Sequence, residues 1–309
     1  MNEIKVFCPA TVANISCGFD VLGLCLENVG DEMTVRKIDE REIRIASITG
    51  QDLPLDPEKN VAGVAALSLL DELKTPFGFE IEILKKIKPG SGIGSSAASA
   101  AGAVYAINEL SEASLSDSQL VYHAMQGEIL ASGSAHADNV APAVCGGFTL
   151  VRGYDPLDIV KIPSPEALMV VVVHPQIEIK TAEARAILSD TIPLKTAITQ
   201  WGNLAGLVSG LFLKDYSLIG RSLIDVVVEP VRSSLIPEFT QVKKVTKEGG
   251  ALGCGISGSG PSIFALCKGL DIANAVAEEM SKVYRKSGIP FETHVSQISK
   301  QGVKTLNTL

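Results

Sequence analysis

Long apolar runs are missing from this sequence. The longest aliphatic stretch covers residues 168–173, far short of the roughly 20 apolar residues that a membrane-spanning helix needs. The N-terminal residues, MNEIKVFCPA, lack a basic segment followed by an apolar one, which is the pattern of a secretory leader. These absences predict a cytoplasmic protein without a membrane partner.

Closely paired cysteines are also missing. Six cysteines are scattered along the chain without any C-x-x-C pair, so the sequence favours neither a zinc knuckle nor a dithiol redox centre. We expect all of them to be buried thiols. They are Cys8, Cys17, Cys25, Cys145, Cys254 and Cys267.

Basic charge is in short supply as well. The chain has 27 Lys and Arg against 35 Asp and Glu, a net charge of −8, and its main basic cluster is Lys85, Lys86 and Lys88. Nucleic-acid binding requires clustered Lys and Arg to neutralise phosphates, so we expect no nucleic-acid partner. With 309 residues and 46% hydrophobic content, the chain is typical of a soluble globular protein with two domains.

The first half mixes strand and helix patterns. Strand patterns lie at 4–7, 33–36, 43–48, 79–84 and 148–152, and helical patterns at 61–73, 96–110 and 116–131. Because the two patterns do not alternate regularly, they predict an α+β fold.

A passage rich in Pro and Asp at 153–167 is interpreted as the boundary between domains at 1–160 and 161–309. Beyond it, strand patterns lie at 168–174, 251–256, 262–267 and 291–295, and helical patterns at 181–228, 239–248 and 272–287. The order strand, helices, strand, strand, helix, strand predicts a ferredoxin-like sandwich.

A Gly- and Ser-rich run, KPGSGIGSS, leads directly into the helical pattern at 96–110. Such runs are usually flexible linkers, but here apolar residues continue at helical spacing, which favours the start of a helix. The glycines permit backbone conformations closed to other residues, and Ser95 and Ser96 are expected to cap the first turn. Free N–H groups at such a helix start can cradle a phosphate. Because the Lys of a P-loop is missing, the cradle would act through backbone amides.

Three stretches, taken in order, resemble the motifs of the GHMP kinases. They are FCPATVANISCGFDVLGLCL at 7–26, PGSGIGSSAA at 89–98 and GISGSGPSIFAL at 255–266. The resemblance implies a small-molecule kinase that uses ATP and Mg²⁺. It also implies a two-domain α+β fold, with an N-terminal domain like domain 2 of ribosomal protein S5 and a ferredoxin-like C-terminal domain.

The same resemblance implies the residues that bind ATP and its metal ion. Those for ATP would be Pro89, Gly90, Ser91, Gly92, Ile93, Gly94, Ser95, Ser96, Ala97, Ala98, Gly258, Ser259 and Gly260. Ser96 and Glu128 would bind the magnesium, a hard cation that takes oxygen ligands and keeps several waters. Two simpler interpretations stay open: the stretch at 255–266 as a plain turn between strands, and Glu128 as an exposed helix residue.

Further segments indicate the phosphoryl acceptor. SGSAHADNVAP at 132–142, IKTAEAR at 179–185 and VVEPVR at 227–232 resemble the branch of the family that acts on L-homoserine. In that branch the pocket must hold an ammonium, a carboxylate and a hydroxyl. The resemblance assigns Asn14 and Asp20 to the amino group, Arg185 and Arg232 to the carboxylate through forked hydrogen bonds, and Thr181, His136 and Asn139 to the chain and its hydroxyl.

Each acceptor residue also has a simpler interpretation. Arg185 and Arg232 are compatible with solvated charges on helix surfaces. Asp20 is compatible with a side chain bonded to its own turn, and His136 with Asp138 is compatible with a loop-capping pair.

Phosphoryl transfer depends on in-line positioning and on neutralisation of charge more than on covalent chemistry. We expect positioning to be the main contribution, with Asp138 as the candidate base and Asn139 orienting the hydroxyl. One departure concerns Ser16 and Cys17, which stand where the family usually has Gly and Pro. Because serine disfavours positive φ, we expect the local turn to differ.

Alternatives to the hypothesis that L-homoserine is the phosphoryl acceptor stay open. One is a mevalonate or sugar kinase of the same family, and another is a catalytically silent sensor of nucleotide or amino acid. The resemblance further implies a homodimer, and O-phospho-L-homoserine as product would place the protein in threonine biosynthesis.

Overall fold

Two β-sheets organise the part of the chain that the computed structural model describes, residues 1–133 and 135–306. The strands are β1 (Glu3–Ala13), β2 (Leu22–Ile38), β3 (Ile43–Thr49), β4 (Gly78–Leu84), β5 (Phe148–Tyr154), β6 (Leu157–Ile162), β7 (Leu168–Pro175), β8 (Gly253–Ile256), β9 (Ile263–Lys268), β10 (Phe291–Gln297) and β11 (Lys304–Thr305). The α-helices are α1 (Val61–Leu73), α2 (Ser95–Ser111), α3 (Asp117–Ser132), α4 (Val140–Cys145), α5 (Thr181–Ala186), α6 (Leu194–Leu213), α7 (Tyr216–Ser222), α8 (Glu229–Arg232), α9 (Phe239–Glu248) and α10 (Leu270–Ser287).

The larger sheet has the strand order β11-β1-β2-β4-β3, with β5 on β2 and β6 on β5. Strand β2 is much longer than its predicted core at 33–36, because its first residues pair with β5 and its last with β4. Strands β3 and β4 run parallel, and the other pairs of this sheet are antiparallel. The long β1–β2 pair therefore reaches the loop that begins with Asn14.

The Ala-rich helix α2 lies at the centre of the first half. It packs against α1, α3 and the β1–β2 pair, so its small side chains are buried on nearly every side. A Cβ at Gly102 would lie 2.2 Å from Cys8 Sγ, and only glycine permits this close approach to β1. This packing fixes the start of α2 beside β1, where Thr11 N donates to Ile93 O at 3.2 Å.

The smaller sheet has the order β10-β7-β9-β8 and is antiparallel throughout. Along β7, Val171 and Val173 belong to the core with α9 and α10, whereas Val170 and Val172 belong to the core shared with the first half. A strand buried on both faces explains the continuous aliphatic run at 168–173. The strand order confirms the predicted ferredoxin-like arrangement.

The prediction of one long helical region at 181–228 is wrong. The region breaks into α5, α6 and α7, because Pro193 is the N-cap of α6 and Lys214, in a left-handed conformation, is its C-cap. Asp215 then caps α7 by accepting from Leu218 N at 3.0 Å. The break after α5 frees a short helix that turns towards the loop at 14–21, since Arg185 bonds to Asp20.

The passage at 153–167, predicted to separate the two halves, holds β6 instead. Strand β6 forms a hairpin with β5, so the boundary proposed between residues 160 and 161 falls inside a strand, and the division into domains stays a prediction. Helix α4 is also absent from the sequence-based prediction. Within the described residues, no helix is both long and apolar enough to cross a membrane.

Candidate active site

A cleft of about 430 Å³ opens between the start of α2, α3, α5 and the turn after β8. Most of the predicted site residues line it: Asn14, Asp20, Pro89, Gly90, Ser91, Gly92, Gly94, Ser95, Ser96, Glu128, His136, Asp138, Asn139, Thr181, Arg185, Arg232, Gly258 and Ser259. Ile93, Ala97 and Ala98 instead belong to the hydrophobic core, and Gly260 is a buried residue of the turn after β8. These four residues could therefore contribute only through their backbone.

The loop before α2 has the geometry of an anion cradle. Gly90, Gly92 and Gly94 have φ of 70°, 81° and 68°, in the left-handed region that glycine adopts without strain. Gly94 is the N-cap of α2 and has no side chain to occupy the N–H groups of the first turn. Those amides and the positive end of the helix dipole thus face the cleft.

The expectation that Ser95 and Ser96 cap the first turn is wrong, because α2 already begins at Ser95. The Ser95 hydroxyl instead donates to Ile87 O at 3.1 Å, which ties the helix to the loop before it. Ser96 is left at the cleft side of the helix start.

The three sequence motifs interlock around this loop. Ser257 Oγ donates to Gly92 O at 2.7 Å, and a Cβ at Gly92 would lie 2.6 Å from Gly260 O. Asn14 Nδ2 donates to Gly258 O at 2.8 Å. The turn after β8 is thus both a turn between strands and a wall of the cleft.

A buried ion pair supports the loop from below. Lys85 Nζ bonds to Asp31, and it also donates to Ser95 O at 2.7 Å and to Ser99 Oγ at 3.0 Å. Asp31 Oδ1 in turn accepts from two backbone amides that follow Lys85, at 2.7 and 2.8 Å. The pair therefore joins β2, the start of the loop and the first turn of α2.

Glu128 lies beside the helix start, so the interpretation of Glu128 as an exposed residue is wrong. Burial raises the pKa of Glu128 to about 7, although a hydrogen bond with Ser96 and the charge of Lys85 lower it. Among the described residues no group of three or more His, Cys, Asp or Glu could hold a metal ion. One buried carboxylate with one hydroxyl fits a hard cation such as Mg²⁺, which keeps several waters.

The loop at 14–21 lines the cleft with Asn14, Phe19 and Asp20. Asn14, Ile15 and Ser16 have φ of 70°, 40° and 63°, a run of left-handed residues that costs on the order of 1–2 kcal/mol each. Asn14 Oδ1 accepts from Asp20 N at 3.0 Å, which holds the loop closed. Ser16 thus adopts the positive φ that its side chain disfavours, contrary to expectation, because tertiary contacts outweigh the strain.

Two arginines from outside this loop contact its residues Phe19 and Asp20. Arg185 donates to both carboxylate oxygens of Asp20, at 2.8 and 3.0 Å. Arg232 is only 2% exposed, and it donates to Ala184 O at 2.9 Å and to Gly258 O at 3.3 Å. The interpretation of both residues as solvated surface charges is therefore wrong.

The segment at 136–139 completes the cleft. Thr11 Oγ1 donates to Asn139 Oδ1 at 2.7 Å, and His136 Nδ1 lies 4.0 Å from Asp20 Oδ2. Burial, and then the nearby Asp20 and Glu128, raises the pKa of Asp138 to about 7. On the opposite wall Thr181 Oγ1 lies 3.3 Å from Ser259 Oγ.

Comparison with known proteins identifies the family. Residues 60–147 match the GHMP kinases N terminal domain, and residues 207–286 match the GHMP kinases C terminal domain. A homoserine kinase of Chlorobium phaeobacteroides is 45% identical over 99% of this chain and 100% of its own. The chain belongs to the GHMP kinase family.

Other relatives of this GHMP kinase agree with the assignment. A homoserine kinase of Chlorobaculum tepidum is 44% identical over 100% of this chain and 99% of its own. The crystal structure of homoserine kinase from Cytophaga hutchinsonii has a TM-score of 0.95 and 51% identity, covering 99% of this chain and 98% of that one. The family and the fold class predicted from the three motifs are thus confirmed.

Sequence reasoning missed several residues that shape the cleft of this GHMP kinase. Thr11 and Phe19 lie inside the first motif, but nothing in their spacing marks them as contacts of Asn139 or of the arginines. Lys85 belongs to the basic cluster that the sequence does reveal, yet its partner Asp31 is 54 residues away. Only the folded chain identifies such pairs.

Proposed function

We propose that this GHMP kinase transfers the γ-phosphoryl group of ATP to the side-chain hydroxyl of L-homoserine, giving O-phospho-L-homoserine and ADP. Relatives named homoserine kinase, 44–45% identical over nearly the whole chain, support this acceptor. We place the reaction in the cytoplasm and in threonine biosynthesis.

One observation carries the choice of acceptor. The Asp20–Arg185 ion pair lies beside the buried Arg232, so an anion and two cations face the same end of the cleft. An α-amino acid carries its ammonium and carboxylate on one carbon and matches this arrangement. Mevalonate has no ammonium to pair with Asp20, and galactose has neither charge.

The side chains have distinct roles in this proposal. Asp20 and the second lone pair of Asn14 Oδ1 receive the ammonium, and Arg185 and Arg232 bind the carboxylate. Thr181 and His136 close the pocket around the substrate chain. Asn139, held by Thr11 through Oδ1, directs its Nδ2 group at the hydroxyl.

The other end of the cleft holds the nucleotide. The backbone amides at the start of α2 and the turn at 258–260 bind the phosphates. Ser96 and Glu128 would hold Mg²⁺, which, when bound, would neutralise charge on the β- and γ-phosphates. Positioning of the two substrates is the main contribution of the chain, and Asp138, whose pKa lies near neutrality, is the candidate base.

A coupled assay of ADP release tests the acceptor. We expect ADP release with L-homoserine and only background release with mevalonate, galactose or no acceptor. Release with one of the other two acceptors would favour a different GHMP kinase. Binding of ATP without release of ADP for any acceptor would favour a silent sensor.

The carboxylate clamp is tested by Arg232→Ala and Arg185→Ala. Loss of a charge-assisted hydrogen bond should raise the KM for homoserine about 10- to 100-fold, whereas the KM for ATP should change less than about twofold because the phosphate loop is untouched. Glu183→Ala, an exposed residue of α5, is the control and should leave both constants unchanged. An unchanged KM for homoserine in both arginine variants would contradict the proposal.

We also propose that the protein is a homodimer. Helix α6 buries one face, with Ala197, Leu207 and Leu211, but it also has an exposed apolar face. That face carries Leu194, Ile198, Trp201, Ala205 and Phe212 at helical spacing. A helix that is apolar on both faces is typical of one that packs against a second chain.

A further inference from the structure

Phe19 lies in the loop between β1 and β2 and lines the acceptor end of the cleft. Two guanidinium groups lie near its ring. Arg185 Cζ is 5.3 Å from the ring centroid and Arg232 Cζ is 5.0 Å from it, both within the distance at which a cation is attracted to an aromatic ring. The arginines come from α5 and α8, so one side chain of a third segment joins them.

The two guanidinium groups repel each other before a substrate arrives. Burial, and then the charge of Arg185, lowers the pKa of Arg232, which indicates that the Arg185 cation acts on Arg232. The charges of Asp20, Asp225 and Asp138 act in the opposite direction, and the carboxylate of Asp20 bonds to Arg185. The aromatic ring offers partial negative charge to both cations at once.

The backbone around Phe19 is held on both sides. Gly18 N donates to Asn14 O at 2.8 Å, and Asp20 N donates to Asn14 Oδ1 at 3.0 Å. Asn14 is itself fixed to Gly258, whose carbonyl also accepts from Arg232. The backbone on either side of the ring is thus fixed to the segment that also contacts Arg232.

We propose that Phe19 is a positioning residue that holds Arg185 and Arg232 as a preformed clamp for the carboxylate of the acceptor. The role rests on the proposed function, because it requires that the two arginines bind that carboxylate. Phe19 does not touch the reacting atoms. It acts on acceptor affinity through the arginines, and it should therefore matter only for acceptors that carry a carboxylate.

The test compares L-homoserine with 2-aminobutane-1,4-diol, which keeps the amine and the side-chain hydroxyl but replaces the carboxylate with a primary alcohol. In Phe19→Leu we expect the KM for homoserine to rise about tenfold, and the KM for ATP to change less than about twofold. The kcat/KM for the diol should be nearly unchanged. Phe19→Tyr keeps the ring and should stay within about threefold of wild type for both acceptors.

A matched control is Phe77→Leu. Phe77 also lies under a cation, with Lys37 Nζ 4.9 Å from the ring centroid, but it does not line the cleft. This variant should leave the kinetics of both acceptors unchanged. If Phe19→Leu does not fold, Phe19→Met replaces it as the variant without a ring.

The outcomes separate the two proposals. Equal losses for homoserine and the diol, an unchanged KM for homoserine in Phe19→Leu, or a loss in Phe19→Tyr as large as in Phe19→Leu would overturn the role of Phe19 alone. Wild-type protein that releases no ADP with homoserine would overturn the proposed function, and the role of Phe19 with it.

Discussion

At the scale of single residues, Asp138 and Glu128 are carboxyl groups that burial keeps from ionising fully near neutral pH. The pKa of each is raised to about 7, chiefly by burial. A raised pKa suits a general base, because such a base is most effective when its pKa lies near the pH at which the enzyme works. It also means that the folded protein loses stability as the pH rises, because a buried carboxyl group ionises less readily in the folded chain than in the unfolded one.

Asp138→Asn tests the raised pKa of Asp138 through its effect on the stability of the folded protein. The pKa of Asp138 is about 7 in the folded chain against an ordinary 3.8, so the folded state holds the proton more tightly and stability falls as the pH rises between these values. We expect the variant to be more stable than wild type without ligands, by on the order of a few kcal/mol at pH 8 and by less at pH 5. Thermal unfolding at the two pH values measures the difference.

The control for this measurement is Asp190→Asn, an exposed residue, which should show no such pH-dependent gain. An equal gain for Asp138→Asn at both pH values would contradict the expected role of burial.

Asp138→Asn also tests whether Asp138 is the general base, because a general base contributes about 10²- to 10⁴-fold to the rate. A loss of kcat of only a few-fold would remove Asp138 from that role and leave positioning alone.

At the scale of elements, the position of the start of α2 depends on a buried ion pair. The Lys85–Asp31 pair is buried, with the two side chains 2% and 1% exposed, and its hydrogen bonds reach β2, the loop before α2 and α2 itself. A buried pair is weak evidence for net stability, but removal of one partner leaves an uncompensated charge. The pair thus locks the loop in one position.

Lys85→Met should therefore destabilise the protein by about 3–5 kcal/mol, as measured by urea unfolding. The adjacent Lys86→Met is a matched control, since Lys86 pairs with Glu32 at the exposed surface and should cost less than about 1 kcal/mol. The double variant Lys85→Met with Asp31→Asn should recover part of the loss because no buried charge remains. Equal effects at Lys85 and Lys86 would contradict the proposed lock.

At the scale of the whole molecule, the proposed homodimer would bring two copies of the chain together through the exposed apolar face of α6. Trp201, at the middle of that face, is 58% exposed. We expect Trp201→Glu to convert a dimer into a monomer, because a buried carboxylate at an apolar interface is unfavourable. Sedimentation equilibrium measures the mass of each form.

Leu270→Glu is the control for the interface, because Leu270 is 54% exposed but belongs to α10 and is not part of the apolar face of α6. It should leave the mass unchanged. A monomeric wild-type protein, or a dimer that survives Trp201→Glu, would contradict the proposed interface.

Local patterns predicted much of the fold. The bounds of α1 at 61–73 agree with the structure, and the order of elements in the second half predicted its sheet. The patterns failed at 181–228, where an apolar helical composition hid breaks at Pro193 and Lys214. They also failed at 153–167, where turn residues concealed a hairpin strand.

In the cleft, too, some features could be predicted from the sequence and others could not. The sequence by itself determined the family and the Gly-rich loop that precedes α2, because glycines that must adopt positive φ and a helix that must begin beside them are local requirements. Only the tertiary structure decided which side chains support those motifs: Thr11 meets Asn139 across 128 positions of the chain, and Phe19 meets arginines of α5 and α8. Such contacts depend on how distant segments pack, and they cannot be predicted from the spacing of residues along the chain.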